Sequence, residues 1–333
     1  MINAVPDIKA LKSLCKKKLP GFVWDYLDSA TGQELVKASN SIDLNDIFFD
    51  TNILSGDIDP QIDVTFDGLQ FKFPLGVAPV GMSGLIHPNA EIKLAKAAVK
   101  YGFPYVLSTV AACSVERLAS SITVDENIWF QLYCPRDKSV LKDLLKRVAF
   151  AGIETLVVTV DLPGASVRER QIKSGLTIPP SFNKKVIIDS ALSPVWAIKR
   201  LINGIPEIEN LTRYSVDSSA KSSTGHIGYQ LRVNPTIDYL REVRRIWNGR
   251  IIIKGVSSVE HVRQLESEDI QGLWISNHAG RQFDGHPSLI SRLPLIRNET
   301  KIPLIVDGGF DSGLNVLRGY ALGADLVMSG SAW

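Results

Sequence analysis

The side chains most able to do chemistry crowd into residues 272–284, GLWISNHAGRQFD. The stretch opens apolar, Leu273-Trp274-Ile275, and turns polar at Ser276. Short apolar runs that end in a polar cluster read as buried parallel strands handing residues to a loop. Here the loop receives Asn277, His278, Arg281 and Gln282. An imidazole takes up a proton near neutral pH, and a guanidinium grips a carboxylate through two parallel hydrogen bonds. His278 and Arg281 can therefore serve one small substrate as base and anchor. The competing reading is a satisfied loop histidine beside a surface charge, and this stretch alone does not choose between them.

Other apolar runs end in residues of complementary kinds. Ser108-Thr109, Gln131-Leu132-Tyr133 and Thr159-Val160-Asp161 each close such a run, Arg168 follows the last, and Lys254-Gly255 closes another. Ser108, Gln131, Thr159 and Lys254 offer donors and acceptors suited to the edge of a planar heterocycle. A lysine in an apolar run is costly unless an anion or an electron-rich ring faces it; a pair with Asp307 is the plainer explanation. Asp161 can hold the His278 ring by a hydrogen bond, or it can cap the segment that follows. Arg168 and Arg281 together make a clamp for a carboxylate. Tyr133 and Tyr26 offer hydroxyls for a substrate oxygen. Trp24 and Leu27, beside Tyr26, read as packing residues, whereas the Tyr26 hydroxyl needs a partner if buried.

For these residues to meet, their strands must end on one rim. Eight strand-like runs recur from Pro74 onward: 75–80, 105–109, 129–133, 155–161, 251–255, 272–277, 303–309 and 325–330. Amphipathic stretches at 89–101, 114–120, 137–151, 235–248, 258–267, 287–297 and 313–322 fall between most of them. This alternation predicts a parallel (β/α)8 TIM barrel, in which reactive residues sit after the strands' C-terminal ends. Gly308-Gly309 and Gly330 then lie where such barrels often hold a phosphate. Helices are expected over 7–18 and 21–29, and the alternation around Asp67-Gly68 in 62–72 predicts a hairpin that plugs or covers the barrel. The chain thus reads as one domain, 1–333, with an N-terminal extension, 1–73, and an insertion, 176–233, after the fourth strand. The sequence stops at Trp333, directly after the eighth strand, so the final helix is expected to be missing and apolar surface beside it uncovered.

Composition narrows the class. Net charge is +2 over 333 residues, which gives no reason to expect nucleic acid. Cys15, Cys113 and Cys134 are far apart and form no CxxC, so neither a metal site nor a disulfide framework is expected. The N-terminus carries no secretory pattern and no run is long enough to span a bilayer, so a cytoplasmic location is expected. Within the insertion, residues 176–212 are apolar with scattered basic positions, as for a segment lying on a membrane surface; a plain subunit contact is the alternative. The polar stretch 215–225 reads as a mobile loop.

The motifs WFQLY, VTVD, IIIKG and SNHAGRQFD resemble those of the FMN-dependent 2-hydroxy acid dehydrogenases and oxidases, the group of glycolate oxidase, lactate dehydrogenase and mandelate dehydrogenase. The resemblance runs from about residue 5 to the end, and the segments 167–179 (VRERQIKSGLTIP) and 190–211 (SALSPVWAIKRLINGIPEIENL), with Gly81, look most like the membrane-associated mandelate dehydrogenase branch. It implies that His278 is the base and that Asp161 supports its charged form. It makes Arg168 and Arg281 the carboxylate holders, and Tyr26 and Tyr133 the hydroxyl partners. Lys254 would face the flavin. The flavin contacts it implies are Val80, Gly81, Ser108, Gln131, Thr159, Lys254, Ser276, Asp307, Gly308, Gly309 and Gly330. The partners implied are a small 2-hydroxy acid, a quinone or other electron carrier, and further copies of the chain in a homotetramer. Val110 stands where glycolate oxidase carries a large aromatic residue, which favours a bulky or aromatic acid. Two positions depart from the family pattern: Asp311 and Ser331 stand where it places the arginines of the phosphate grip. They motivate a second reading, a non-catalytic descendant that keeps the barrel as a binding protein. A third, a Schiff-base aldolase built on Lys254, would leave His278 and the arginines without a shared task.

Overall fold

The computed structural model describes residues 5–162, 164, 166–176, 183–214, 231 and 233–333. A two-stranded hairpin, β1 (Val64–Phe66) and β2 (Leu69–Phe71), precedes eight parallel strands. These are β3 (Leu75–Val77), β4 (Tyr105–Ser108), β5 (Ile128–Tyr133), β6 (Thr155–Thr159), β7 (Arg250–Val256), β8 (Gly272–Ile275), β9 (Leu304–Val306) and β10 (Leu326–Ser329). They pair in chain order, and β10 closes on β3, so the expected (β/α)8 barrel is present. The middle strands are buried from end to end, as a sheet covered on both faces must be. All seven expected barrel helices form, each between the strands that bracket it. Six begin on a side-chain cap: Ser114, Asp137, Thr236, Ser258, Ser288 and Ser312 each accept a backbone N–H from the first turn.

The ladder register brings the chemistry-bearing residues to one rim. Ser108 pairs with Gln131, Tyr133 with Thr159, and Thr159 with Lys254. Several strands end earlier than their apolar runs. Residues 160–161 lie past β6 and 276–277 past β8; Val160 and Ser276 still donate to the neighbouring strand, and the loops that carry the site begin just after them.

The hairpin is a plug. Asp67 and Gly68 both take positive φ, as a two-residue hairpin turn requires. Phe66 and Phe71 pack on Trp129, with ring centroids 5.9 and 6.0 Å away, among Val106, Ile252, Trp274, Ile305 and Leu326. Asp67 pairs with Arg250 at the first residue of β7. The hairpin therefore closes the barrel at the strands' N-terminal ends, opposite the rim.

The N-terminal extension holds the two expected helices, Ile8–Lys18 and Gly21–Asp28, and a third, Leu35–Asn45, that the sequence pattern did not announce. Serine, asparagine and aspartate in its interior are weak helix formers. Tertiary contacts hold it instead. Asp284 accepts the N–H groups of Gln33 and Val36 at its start, and Asn40 exchanges two side-chain hydrogen bonds with Asn277. The insertion is likewise more structured than a loop: helices Glu169–Lys173, Lys184–Ala191 and Pro194–Asn203 form in or beside it. The stretch 215–225 lies outside the described residues. Past β10, Trp333 stacks on Phe103 at 5.4 Å, beside an apolar groove that includes Phe73, Tyr101 and Leu317.

An ion network fastens the extension to the segment after β6. Arg170 bonds Asp25, Asp28 and Glu34, and Asp28 also meets Lys12 at 2.7 Å and Lys37 at 3.0 Å. Burial pushes the Asp28 carboxyl up, but Lys12 and Lys37 outweigh it and bring it down to about 2. A carboxyl depressed on folding contributes stability above its ordinary pKa and loses it as pH falls through the folded value. Solvent screening of the part-exposed Lys12 reduces this contribution to about 1 kcal/mol, which should vanish between about pH 4 and about pH 2. Thermal melts across that window should show Asp28→Asn losing correspondingly less; an identical acid dependence in the variant would refute this.

Candidate active site

The site is built around the end of helix Gly21–Asp28. The last carbonyls of a helix lack intrahelical partners and carry partial negative charge. Here they meet two guanidiniums from distant loops. Arg168 donates to the Tyr26 carbonyl at 3.1 Å; Arg281 donates to Tyr26 at 2.9 Å, to Leu27 at 2.8 Å and to Ser29 at 3.3 Å. Both lie over the Tyr26 ring, at 5.4 and 5.8 Å from its centroid. Among the described residues, neither has a carboxylate within ion-pair distance. Burial, reinforced by the neighbouring Arg281, pulls Arg168 down to about 10, and burial likewise lowers Arg281. Both depressed values mark cations short of an anion.

The imidazole stands beside them. His278 Nδ1 meets the two Asp161 oxygens at 2.9 and 3.1 Å, and its Nε2 lies 3.3 Å from the Tyr133 hydroxyl. Asp161 holds the ring rather than capping a segment. Burial raises the Asp161 carboxyl, yet His278 and then Lys254 overcome that and leave it below the usual range. Burial pushes the Tyr133 hydroxyl well up, and Asp161 adds to this, so it stays a protonated donor. Arg281, Arg168 and Tyr26 all act on that same hydroxyl, which places the two halves of the site together.

Backbone geometry sets these positions. His278, Ala279 and Gly280 take three consecutive left-handed conformations, φ 54, 51 and 71°. For the two non-glycine residues this costs about 1–3 kcal/mol each, a strain typical of functional loops. The Asn40–Asn277 amide pair and the Thr31 hydroxyl, donating to the Gly280 carbonyl at 2.7 Å, restrain that turn from outside. Gly255, at φ 110° on a bulge in β7, lets Asp161 approach: a Cβ there would lie 2.5 Å from the Asp161 Cβ. No local pattern marks Asn40 or Thr31 as part of the site. Asp284 lies in the SNHAGRQFD motif, but only the fold reveals the helix that it caps.

A second group of residues lines the rim next to the imidazole. Ser108 Oγ donates to Gln131 Oε1, and Gln131 Nε2 to Thr159 Oγ1, both at 2.9 Å. This buried row across three strands keeps one Gln131 N–H and the Thr159 hydroxyl proton for a ligand. Lys254 donates to Ser276 Oγ at 2.6 Å and pairs with Asp307 at 2.9 Å, so the plain pairing exists. The other Asp307 oxygen is buried without a partner among the described residues. Ser276 Oγ also receives the His278 N–H at 3.2 Å, linking the row to the base. At the opposite side the Tyr26 hydroxyl donates to the Gly81 carbonyl at 3.0 Å, and Val80 accepts from Ser83. Gly308 and Gly309 are left-handed and pressed against Asn40, whereas a Cβ at Gly330 would meet only ordinary contacts. Gly330 is thus not required by packing.

Comparison with known proteins follows the same lines. The profile of the family described as FMN-dependent dehydrogenase matches residues 15–333. An L-lactate dehydrogenase of Pectobacterium atrosepticum is 34% identical over 339 aligned positions, covering 100% of this chain and 86% of that protein. Among solved structures, the monotopic membrane protein (S)-mandelate dehydrogenase superposes with a TM-score of 0.91 at 29% identity, over 98% of this chain and 86% of that one. A mandelate oxidase structure with 3,3-difluoro-2-hydroxy-3-phenylpropionic acid gives 0.79 at 27% identity, over 98% and 85%. With barrel, rim and match running nearly the whole length, the chain belongs to the FMN-dependent dehydrogenase family.

Proposed function

We propose that the chain oxidises a 2-hydroxy acid to the corresponding 2-oxo acid and passes the electrons to a quinone or another carrier. One observation carries this: two half-buried guanidiniums, with no carboxylate in ion-pair distance among the described residues, stand beside a carboxylate-held imidazole. The substrate carboxylate fills the place between Arg168 and Arg281, restoring the missing anion. With Nδ1 turned to Asp161, His278 offers Nε2 to the substrate hydroxyl and takes its proton. Asp161 stabilises the imidazolium that results. Tyr133 and Tyr26 orient the substrate oxygens. Gln131, Thr159, Ser108, Lys254 and the backbone at Val80 and Gly81 would hold the flavin ring. The bound flavin supplies the two-electron acceptor. The ring half fits: the row has donors to spare, and an ammonium faces the site. Half-buried Val110, beside Gly81, supports a bulky or aromatic acid.

The intact base pair and the family membership favour an enzyme over a binding protein. An aldolase lysine is disfavoured, because Asp307 and Ser276 already bind the Lys254 ammonium.

The acceptor side of the proposal includes a membrane contact. No helix among the described residues is long and apolar enough to cross a bilayer. Helices 184–191 and 194–203 instead form an inverted pair. Val186 and Trp196 face inward, Trp196 edge-on to Phe22, while Ile188, Leu192, Val195 and Ile202 face out and Leu201 is 85% exposed. Lys184 and Lys185 lie exposed on the same segment. An outward apolar face flanked by lysines suits the cytoplasmic membrane surface.

Three measurements test these statements. In anaerobic stopped-flow, His278→Gln should slow flavin bleaching by a 2-hydroxy acid about 10²–10⁴-fold; wild-type rates would end the proposal. Arg281→Lys keeps the charge but loses the fork, so kcat/KM should fall about 10–100-fold; equal kcat/KM would remove Arg281 from substrate binding. In vesicle flotation with anionic lipid, the protein should rise with the vesicles and the pair Leu201→Asp and Ile202→Asp should stay behind. Flotation of both alike would move the contact elsewhere.

A further inference from the structure

The rim after β9 and β10 is built differently from the rest of the site. Its two turns touch: Ser329 Oγ donates to the Phe310 carbonyl at 2.7 Å, which brings the Asp307–Asp311 turn beside Gly330 and Ser331. A phosphate held there would meet carboxylates. Asp311 is fixed by the Asn315 amide at 3.0 Å, and Asp307 carries a buried oxygen with no partner among the described residues. The start of helix Gly313–Ala321, ordinarily friendly to anions, already has the Asp311 carboxylate beside it and the Ser312 hydroxyl on its Asn315 N–H.

Among the described residues, the cations around this rim are spent. Lys254 is tied to Asp307. Arg318 gives one nitrogen to the Asn315 oxygen at 2.7 Å. It spends the rest on Asn45 and on the Ile47 carbonyl at 2.9 Å, turned towards helix Leu35–Asn45. What remains for a phosphate is backbone N–H at the glycines. At the other end, the Ser108–Gln131–Thr159 row is complete.

We infer that this chain grips its flavin by the ring and gains almost nothing from the 5′-phosphate, so that riboflavin binds about as well as FMN. The inference rests on the reading of the site as a flavin site. A charge-assisted contact is worth about tenfold to a hundredfold in affinity; without one, preference for the dianion over the neutral alcohol collapses.

The test is a fluorescence-quenching titration of the flavin-stripped full chain with FMN and with riboflavin. The two dissociation constants should agree within about fivefold, the worth of one neutral hydrogen bond. In the double variant Asp311→Arg and Ser331→Arg, FMN should tighten by about thirtyfold or more while riboflavin stays unchanged. Wild-type FMN binding a hundredfold tighter than riboflavin, on the order of two charge-assisted contacts, would overturn the inference and leave the flavin reading standing. So would equal tightening of both flavins in the double variant. Binding of neither flavin would overturn both.

Discussion

The site depends on the carbonyl end of one short helix. Gly21–Asp28 offers its terminal oxygens to guanidiniums that arrive from the β6 and β8 loops. A helix end carries only part of a negative charge, enough to bring two arginines out of water side by side but not to neutralise them. The remaining demand is what a small acid would meet. Without these carbonyls the two half-buried guanidiniums would stand together with no counter-charge among the described residues, which is costly. The N-terminal extension is therefore structural to the chemistry, although it lies outside the barrel. Arg170, two residues past Arg168, anchors the same helix through Asp25 and Asp28.

The base side follows a different principle, close packing around a strained turn. His278 can sit at positive φ because its neighbours leave no alternative: Asn277 is locked to Asn40, Gly280 is bonded by Thr31, and Ser276 takes the His278 N–H. Asp161 reaches the imidazole across a backbone kept bare at Gly255. Both devices hold the ring in one tautomer before any substrate arrives, the preorganisation that proton transfer needs.

Much of this was legible in the sequence, for physical reasons. Parallel strands buried on both faces leave apolar runs, and the polar residue after each run must lie on the rim. Hence His278, Asp161, Lys254, Gln131 and both arginines could be gathered before their distances were known. Helix Leu35–Asn45 could not, because its stability comes from Asp284 and Asn277, more than 200 residues away. The hairpin was readable from Asp67-Gly68, but whether it plugged or covered the barrel depends on where Phe66 and Phe71 pack. Lys254 shows the limit most plainly: the sequence allowed an ion pair or a ligand-facing cation, and what the structure shows is the pair with Asp307.

The hairpin under the barrel also governs traffic. With Phe66 and Phe71 wedged against Trp129, nothing threads through the barrel axis from below. For the proposed reaction, reactant and product would then come and go over the opposite end, where the loops after the strands carry the site. An oxidised acid lingering there would stand in the path of whatever comes to collect the electrons.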